Sequence, residues 1–463
     1  MAESWATFGV DLHLEPTGPG LRRGLTDALR EAVRTGRLAP GTRLPSSRSL
    51  AADLGVARNT VAEAYADLVA EGWLTARQGS GTRVADRTVV PPAGAAPGPR
   101  KPGRPVHDLR PGMPDLASFP RAQWLKAARR ALTRAPYEAF GYGEPPGRTE
   151  LRTALAGYLS RARGVRTDAD RVLVCAGISH GVKILGAVLR ARGVRTVAVE
   201  SYGLAVHRRL LEAAGLRTVP LPFDERGTDP SGLDDDAGAV FLTPAHQFPM
   251  GVALHRDRRA AVVEWARRTG GLVVEDDYDG EFRYDRQPVG ALQGLDPDHV
   301  VHLGTVSKSL APGLRLGWAV LPPALAGEAA RAKGGIDTCG VLDQLTLAEF
   351  IASGAYDRHV RAARLRCRRR RDALVAELAR RAPSVRATGI AAGLHLVLRL
   401  PPGTEQAALR AAAWQGLAVD GLHQYRHPDA TVEPCDALVV GYATPPDHAW
   451  AGALDALCAV LPE

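Results

Sequence analysis

The sequence predicts two unlike domains joined by a linker. The first is all-α apart from a short hairpin, and the second is an α/β domain with a mostly parallel sheet and a small α+β lobe at its C-terminal end. Residues 12–84 have helical periodicity, residues 85–107 are rich in Pro, Gly and Ala, and short β-branched runs alternate with helical patterns over residues 108–463. Such alternation is typical of parallel α/β sheets, and aperiodic Pro/Gly-rich segments are typical of linkers.

Composition narrows the class of protein. The chain has 463 residues, of which 45% are hydrophobic, and this length favours two to four domains. The sequence has no apolar run of the ~18 residues that a transmembrane helix needs, and its first residues lack the pattern of a signal peptide. The five cysteines are far apart and have no CxxC spacing. Because this usage is typical of reduced thiols, we expect a cytoplasmic protein.

Charge is unevenly placed along the chain. The net charge is +9, yet residues 1–84 contain ten arginines and nine acidic residues, a balance of only +1. A nucleic-acid-binding face in the first domain would therefore depend on where its arginines lie rather than on bulk charge.

The first domain begins with three predicted helices. An apolar stripe spaced at four-residue intervals predicts a helix that ends near Gly36; its members are Leu21, Leu25, Leu29 and Val33. Ser46 or Ser47 can cap a short second helix that extends to Leu54. A third helix is predicted over 58–71, and its inward-facing residues are Val61, Tyr65 and Leu68.

A hairpin completes this domain. Residues 72–84 have the pattern of two short strands around the tip Gly79-Ser80-Gly81. Three helices followed by a hairpin is the order of a winged helix-turn-helix, in which the third helix enters a DNA major groove. The pattern alone also fits a small helical dimerisation module, in which Arg58, Asn59 and Thr60 are an ordinary solvated helix start.

The sequence of residues 44–74 and 79–82 resembles the GntR-type winged helix, and the resemblance covers nearly all of residues 20–84. It implies that the domain binds operator double-stranded DNA. By this resemblance Ser46 and Arg48 contact phosphates, whereas Arg58, Asn59 and Thr60 reach base edges and Gly81 lies in the wing against the minor groove. Phosphate contacts fix the register, and base contacts specify the sequence.

The second domain is predicted from five apolar runs that are candidate strands. These runs are residues 171–175, 196–200, 239–243, 271–275 and 300–304. From about residue 345 the pattern indicates a long helix and then the smaller α+β lobe. Strands that alternate with helices predict a parallel sheet whose carboxyl edge carries the functional loops.

Lys308 is the most informative residue of this domain. It is one of only five lysines, and it lies between two serines directly after the last predicted strand. Lys can form an imine with an aldehyde, whereas Arg stays protonated and cannot. Asp276 and Tyr278 are two residues apart at a strand end, so their side chains share a face. A carboxylate there can hold a pyridine nitrogen protonated, and a phenol can hydrogen-bond the ring 3-oxygen.

The remaining parts of a pyridoxal phosphate (PLP) site have candidates too. Thr305 and Ser307 flank Lys308, Arg315 can form charge-assisted bonds to a phosphate, and residues 177–181 form a glycine turn at a helix start. Singly, such features are most often tight turns, solvated acidic loops or metal sites. Because they occur together and in this order, they favour a PLP site, and we expect no metal ion in it.

Residues 108–463 resemble fold-type I aminotransferases, a PLP-dependent transferase fold. The whole chain resembles the MocR-type (GabR/PdxR-like) transcription regulators. The motifs that carry this resemblance are residues 142–148, 243–251, 275–284 and 304–315. It implies a head-to-tail, domain-swapped homodimer, Lys308 as the Schiff-base lysine, Asp276 at the pyridine nitrogen and Tyr278 at the 3-oxygen. The implied phosphate ligands are Ile178, Ser179, Thr305, Ser307 and Arg315, with Tyr142 from across the dimer interface. His246 and Gln247 would lie near the ring.

Two positions depart from the family pattern. Leu204 stands where an aromatic residue usually covers the ring, so Tyr202 is the alternative candidate for stacking. Val439 stands where many relatives have an Arg that binds a ligand carboxylate, and Arg399 or Arg426 could replace it from another loop. Loss of that Arg removes charge-assisted bonds of about 1.5–3 kcal/mol each.

We therefore expect a PLP-dependent transcription regulator rather than an enzyme. Its signal would be PLP itself, in which case the regulator would control vitamin B6 synthesis, or an amine or amino acid. The alternatives are a working aminotransferase with an accessory DNA-binding domain and a scaffold that does not bind the cofactor covalently. A residual transamination half-reaction is compatible with the first reading.

Overall fold

The computed structural model describes residues 20–77, 81–86, 105–284 and 289–462. The chain divides into two compact units, Met1–Gly103 and Arg104–Glu463, which we call the N-terminal unit and the effector unit. Within the described residues no helix is both long enough and apolar enough to cross a membrane.

The N-terminal unit has the predicted order of three helices and a hairpin. Its elements are α1 (Leu21–Arg34), α2 (Ser47–Leu54), α3 (Arg58–Ala70), β1 (Leu74–Arg77) and β2 (Gly81–Val84). The two strands pair antiparallel, with Leu74 opposite Val84. The Ser46 hydroxyl accepts a hydrogen bond from the Ser49 amide and so caps α2. Residues 79 and 80 of the predicted tip lie outside the described residues.

The core of this unit lies where the three helices meet. Buried apolar side chains from each helix and from the hairpin form one cluster, which includes Leu25, Leu29, Val61, Leu68 and Leu74. Around the core, α1 arginines pair with acids of α3 and of its C-cap. Arg22 contacts Glu63 and Asp67 at 3.0 and 2.7 Å, and Arg30 contacts Glu71, the C-cap, at 2.8 Å. Exposed pairs add only ~0–1 kcal/mol each, but here they also neutralise the acids of α3.

The large sheet of the effector unit is mostly parallel, as predicted. Its strands are β4 (Val172–Cys175), β5 (Thr196–Glu200), β6 (Arg217–Leu221), β9 (Ala239–Leu242), β10 (Leu272–Asp276), β11 (Val300–Thr305) and β12 (Gly317–Val320), in the spatial order β4-β12-β11-β10-β9-β5-β6. Neighbours pair parallel from β11 to β6, and β12 is antiparallel to both β11 and β4. Each of the five predicted apolar runs forms a strand of this sheet.

Helices cover both faces of that sheet, so its strands are buried on both sides. The helices of the effector unit are α4 (Arg121–Arg134), α5 (Thr149–Arg163), α6 (Ile178–Ala191), α7 (Ala205–Ala213), α8 (Arg256–Thr269), α9 (Pro323–Lys333), α10 (Val341–Ala352), α11 (Ala355–Arg381), α12 (Glu405–Trp414) and α13 (Trp450–Cys458). Separate apolar clusters lie on the two faces of the sheet. The predicted long helix from about residue 345 is in fact two helices, because Gly354 adopts a left-handed conformation with φ of 68° between α10 and α11.

The predicted α+β lobe lies at the C-terminal end of the effector unit. Its antiparallel sheet contains β13 (Arg386–Thr388), β14 (Leu396–Arg399), β16 (Asp420–Gly421) and β17 (Ala437–Val440), in the order β13-β14-β17-β16. Two-residue strands complete the unit: β3 (His107–Asp108) pairs with β15 (Leu417–Ala418), and β7 (Phe223–Asp224) pairs with β8 (Gly227–Thr228). Through β3 the first described residues of the effector unit are anchored to this lobe.

Candidate functional site

A cavity of about 350 Å³ lies at the carboxyl edge of the large sheet. Open parallel α/β sheets bind ligands at this edge, where the strands end and the loops begin. The lining residues that sequence analysis had named are Ile178, Ser179, Asp276, Tyr278, Thr305, Ser307, Lys308 and Arg315. The fold therefore brings together side chains that are up to 137 positions apart, as the numbers of Ile178 and Arg315 show.

One end of the cavity, which we call the phosphate end, is rich in hydrogen-bond donors. Gly177 precedes the first turn of α6, and Ser179 lies in that turn, where free backbone N–H groups favour an anion. The hydroxyls of Thr305 and Ser307 lie 2.8 Å apart. Arg315 lies in the connection between β11 and β12. Its guanidinium donates to the backbone carbonyl of Ala176 and so lies at the same end of the cavity.

Arg315 has an uncommon backbone conformation. Its φ is 51°, and among the described residues it is the only one other than glycine with a positive φ. A bulky side chain in the left-handed region is strained, and such strain often occurs where function requires a side chain in one place. The guanidinium packs against Gly177, where an added Cβ would lie 3.2 Å from Nη2. This pairing of a glycine with a strained arginine concentrates positive charge beside the start of α6.

Asp276 ends β10 in the middle of the cavity and is buried, as is the nearby His207 of α7. Burial raises the pKa of Asp276 well above its usual value, although the charge of Lys308 opposes this effect. His207 Nδ1 lies 3.7 Å from Asp276 Oδ2, and burial, assisted by the positive charge of Lys308, lowers the pKa of His207 to about 4. His207 is therefore neutral near pH 7. Sequence analysis missed it, and its place three residues after Leu204 was the only available signal.

Tyr278 is held from behind by a second buried pair. His246 Nδ1 lies 2.8 Å from Asp279 Oδ2 and 3.1 Å from the Tyr278 hydroxyl. Gly393 makes room for this imidazole, since an added Cβ would lie 2.1 Å from His246 Cε1. Burial raises the pKa of Tyr278 well above its usual value. Tyr278 is thus a protonated phenol whose orientation is fixed by neighbours outside the cavity.

Lys308 follows β11 and reaches the cavity between the two ends. Its Nζ donates a 2.5 Å hydrogen bond to the carbonyl of Gly112. Burial lowers the pKa of Lys308, while the nearby Asp276 carboxylate acts in the opposite direction. A lowered pKa increases the fraction of neutral amine, which is the form that attacks an aldehyde.

The residues fit the cofactor that the sequence predicts. Asp276 Oδ1 is buried and has no hydrogen-bond partner in the described chain. A buried acceptor without a partner destabilises the fold by roughly 1–3 kcal/mol, and a pyridinium N–H would satisfy it. PLP supplies an aldehyde carbon and an electron-accepting ring when it is bound. This chain supplies an amine at Lys308, an acceptor at Asp276 and donors at the phosphate end.

The predicted DNA-contacting residues lie on the N-terminal unit. Ser46, Arg48, Arg58 and Asn59 are exposed at the starts of α2 and α3, and Thr60 is half-buried. Gly81 opens β2 with φ of 81°, and the Arg43 guanidinium packs over it at 3.3 Å from where a Cβ would stand. The starts of the two helices therefore present two arginines and an amide to solvent, and a third exposed arginine, Arg43 of the connection between α1 and α2, lies over the start of β2.

Comparisons with known proteins connect these two units to one family. Residues 21–84 match the model of the bacterial regulatory proteins of the gntR family, and residues 108–428 match aminotransferase class I and II. The HTH-type pyridoxine biosynthesis transcriptional regulator PdxR of Corynebacterium glutamicum is 34% identical over 415 residues, which are 89% of each chain. The probable rhizopine catabolism regulatory protein MocR of Rhizobium meliloti is 34% identical over 455 residues, which are 91% of this chain and 90% of that protein. The chain belongs to the MocR-type transcription regulators.

Solved structures place the effector unit in the same fold class. An archaeal alanine:glyoxylate aminotransferase superposes with a TM-score of 0.69 at 23% identity, covering 77% of this chain and 90% of that one. The effector unit thus has the fold of the PLP-dependent, fold-type I aminotransferases. The MocR-type family joins this fold to a GntR-type DNA-binding domain, and its named members are transcription regulators.

Two residues that were predicted at the cofactor lie behind the cavity in this MocR-type chain. Tyr202 is buried with its ring 6.4 Å from that of Phe223, because its backbone pairs with Arg426 and turns the side chain into the core. Leu204 lines the cavity in its place. Gln247 is buried too, and its amide nitrogen donates to backbone carbonyls of Tyr202 and Phe248, both at 2.8 Å. Tyr202 and Gln247 therefore shape the loops instead of lining the site.

The other end of the cavity, which we call the distal end, lacks the arginine of many aminotransferases. Val439 is fully buried in β17, Arg399 is exposed at the end of β14, and neither lines the cavity. The Arg426 guanidinium donates to the backbone carbonyls of Ala430 and Val432 and is also outside the lining. Neither replacement that sequence analysis suggested lines the cavity, since Arg426 is hydrogen-bonded elsewhere and Arg399 is exposed at the end of its strand.

Arg208 is the guanidinium that does line the distal end. It follows His207 in the first turn of α7, its side chain is 20% exposed, and its Nε lies 3.7 Å from Glu212. The neighbouring His427 cannot supply a second cation. Its Nδ1 accepts from the Asp429 amide and its Nε2 lies 3.1 Å from the Thr218 hydroxyl, so the ring is held in one neutral form.

Tyr142 does not reach the cavity of its own chain. It is 95% exposed in the loop before α5, and the aromatic side chains of Tyr137 and Phe140 nearby are 93% and 48% exposed. Exposed apolar groups that cluster in this way are typical of a surface for another protein chain.

Proposed function

We propose that this MocR-type regulator binds PLP covalently through Lys308 and that PLP is itself the signal that changes its binding to operator DNA. By analogy with the PdxR relative, its target genes would include those of pyridoxine biosynthesis. The single observation that carries the proposal is the contrast between the two ends of the cavity. The phosphate end offers Ser179, Thr305, Ser307 and Arg315 as ligands for a cofactor phosphate, whereas the distal end lacks the strand arginine that binds an amino-acid carboxylate.

The residues named for the cofactor act in distinct ways. Asp276 would hold the pyridine nitrogen, and neutral His207 would keep that carboxylate in place. Tyr278, oriented by His246, would donate to the ring 3-oxygen. Arg315, Thr305, Ser307 and the first turn of α6 would hold the phosphate, with Leu204 instead of an aromatic ring over one face. Charge-assisted bonds to phosphate stabilise a complex by about 1.5–3 kcal/mol each.

The assembly that we propose is a head-to-tail homodimer. Its support is the exposed Tyr137, Phe140 and Tyr142, which belong to the segment that would contact a partner subunit and bring Tyr142 to the partner's phosphate end. DNA contacts would come from Ser46, Arg48, Arg58, Asn59, Thr60 and Gly81. A dimer would present two such surfaces, so the operator would contain two half-sites.

The decisive experiment is a DNA-binding titration at fixed salt on the intergenic region beside this gene, with and without PLP. The expected result is that PLP changes the affinity or the footprint for the wild-type protein and changes neither for Lys308→Ala. A signal requires that the ligand bind the two states of the protein differently. Superimposable curves for a protein that carries covalent PLP would show that PLP is not the signal.

A second candidate signal follows from Arg208. An amine or amino acid with a carboxylate could be bound at the distal end by this guanidinium, and the same titration would then respond only when that compound is added to the PLP-loaded protein. Rapid conversion of PLP to pyridoxamine phosphate by common amino acids would instead indicate an aminotransferase.

A further inference from the structure

Helix α11 carries a concentration of positive charge that neither candidate site uses. Residues 358–371 contain eight arginines and no acidic residue. Like charges at helical spacings of three and four residues destabilise a helix by about 0.2–0.5 kcal/mol per pair. This segment therefore forms a helix despite the electrostatic repulsion between its arginines.

Three arginines of α11 have partners on other elements of the effector unit. Arg364 Nε donates to the carbonyl of Glu281 at 2.8 Å, and Arg366 donates to the Ser118 hydroxyl at 2.7 Å. Arg370 is buried and pairs with Asp447 at 2.5 Å and with Asp115 at 3.5 Å. These three residues attach the helix to the rest of the effector unit, and this structural role accounts for their positive charges.

Of the other five arginines, Arg371 lies 3.5 Å from Asp372, and four lie along one side of the helix, on a surface that we call the outer face. Its members are the exposed residues Arg358, Arg361, Arg368 and Arg369. At 100° and 1.5 Å per residue they fall within an arc of about 100° and a length of about 16 Å. Leu365 lies between them and is 53% exposed.

Most of the outer face has no counter-charge. Over the part of the chain that the structure describes, Arg361 and Arg369 have neither an ion pair nor a hydrogen bond from the guanidinium. Arg358 makes only a 3.4 Å contact to the carbonyl of Ser353, and Arg368 lies 3.8 Å from Asp372. The guanidinium groups are therefore free to bind an external anion, and planar guanidinium groups suit phosphate in particular.

The charge of the N-terminal unit makes this surface relevant to DNA. Residues 1–84 have a net charge of only +1, from ten basic and nine acidic residues, so +8 of the total of +9 lies in the rest of the chain. DNA affinity depends strongly on the number of phosphates that cations neutralise. A DNA-binding unit that is nearly neutral leaves much of this electrostatic contribution to another part of the protein.

We propose that the outer face of α11 binds the phosphate backbone of the DNA that flanks the operator. The inference rests on DNA binding by the N-terminal unit but not on PLP as the signal. Because the two units belong to one chain, DNA held by the first is present at a high effective concentration for the second. The contact is independent of sequence, since it involves phosphates alone.

The test compares the salt dependence of DNA affinity for the full-length wild-type protein and the double variant Arg361→Gln/Arg369→Gln. One duplex contains the operator alone, and the other contains the operator with flanking DNA on both sides. Each lost phosphate contact lowers the slope of log Kd against log salt by about 0.9. We expect the double variant to lose about two units of slope on the long duplex and none on the short one.

The matched control is Arg331→Gln/Arg410→Gln, which removes two exposed arginines from α9 and α12 of the same unit. It should behave as wild type on both duplexes. Equal slopes for the double variant and wild type on the long duplex would overturn the proposal, as would an equal loss of slope in the control. Binding to vesicles of anionic lipid that disappears only in the α11 variant, with unchanged DNA slopes, would assign the face to a membrane instead.

The effect of PLP on affinity for the short duplex distinguishes a failure of this inference from a failure of the proposed function. If that response persists while the long-duplex slopes stay equal, the α11 inference fails and the proposed function stands. If the response is absent and the slopes differ, the reverse holds.

Discussion

The two ends of the effector cavity are built from different chemistry. At the phosphate end, Arg315, Ser179, Thr305 and Ser307 converge on the first turn of α6, and one of them is held in a strained backbone conformation. At the distal end, Leu394, His395, Tyr425 and His427 line the cavity with aliphatic, phenolic and imidazole groups. Arg208 is the exception there, and its side chain is 20% exposed.

The contrast indicates where the binding free energy of a ligand is concentrated. Charge-assisted hydrogen bonds to a phosphate are roughly twice as strong as neutral hydrogen bonds. A cofactor that brings its own phosphate meets several hydrogen-bond donors, whereas an amino-acid carboxylate meets a single arginine, Arg208. The contrast thus supports our proposal that the cavity retains PLP rather than binding an amino acid in the orientation that transamination requires.

The largest effect is expected from Lys308→Ala, which removes the amine between the two ends. Covalent loading with PLP should be lost completely, since Lys308 is the only lysine among the described residues that line the cavity. The measurement is the mass of the protein after incubation with PLP and reduction with borohydride. Lys183→Ala, in which an exposed lysine of α6 is replaced, is the control and should load like wild type. A full mass increase in Lys308→Ala would move the attachment site elsewhere.

Arg315→Gln tests the phosphate end directly. Loss of one or two charge-assisted bonds to the phosphate should weaken PLP binding by about 10- to 100-fold, which corresponds to about 1.5–3 kcal/mol. Equilibrium dialysis of PLP against the variant and wild type measures this ratio. Arg195→Gln, at an exposed position, should leave the dissociation constant unchanged. An unaltered constant for Arg315→Gln would mean that the contrast between the two ends does not govern affinity.

The lining of the phosphate end and of the middle of the cavity was largely predictable from sequence, and that of the distal end was not. Lys308, Asp276 and Tyr278 follow from strand ends, because the carboxyl ends of parallel strands meet at one edge. Glycine turns and hydroxyl pairs have local signatures, so Ser179, Thr305 and Ser307 could also be named.

The distal residues depend on tertiary contacts that leave no local pattern. Whether Tyr202 or Leu204 faces the cavity is decided by a single backbone pairing to Arg426, which is 224 positions away by residue number. Similarly, His207 and Arg208 enter the site only because α7 begins beside Asp276, and a His-Arg pair at a helix start is ordinary in sequence. The strand that carries Val439 was predicted, but the absence of an arginine at this position could not show which other residue lines the distal end.

His395→Gln examines whether the distal end is neutral. Burial, with a contribution from His246, lowers the pKa of His395 to about 3, whereas an unfolded histidine titrates near its ordinary value. As pH falls from about 6.5 towards 3, the unfolded state therefore binds a proton that the folded state does not, and the free energy of unfolding decreases. This loss should be smaller in the variant by up to about 1.4 kcal/mol per pH unit.

The measurement is denaturant unfolding of the protein without PLP at several pH values between 6.5 and 4.5. His448→Gln, at an exposed position, is the control. If His395→Gln and wild type lose stability in parallel, His395 is protonated in the folded protein, and the distal end then carries a positive charge.

The smallest effect is expected from Arg208→Gln. This variant tests whether the arginine of the distal end contributes to PLP affinity as Arg315 does. Arg208 and Arg315 line the same cavity, but the partners assigned to the cofactor phosphate all lie around Arg315. PLP affinity should therefore change by less than about threefold in Arg208→Gln, which is under ~0.7 kcal/mol. Dialysis as for Arg315→Gln gives the comparison. A loss as large as that of Arg315→Gln would show that Arg208 also binds the phosphate, and the two ends would then share one anion. A normal affinity for PLP, combined with loss of a response to a carboxylate-bearing amine, would identify Arg208 as the residue that reads a second signal.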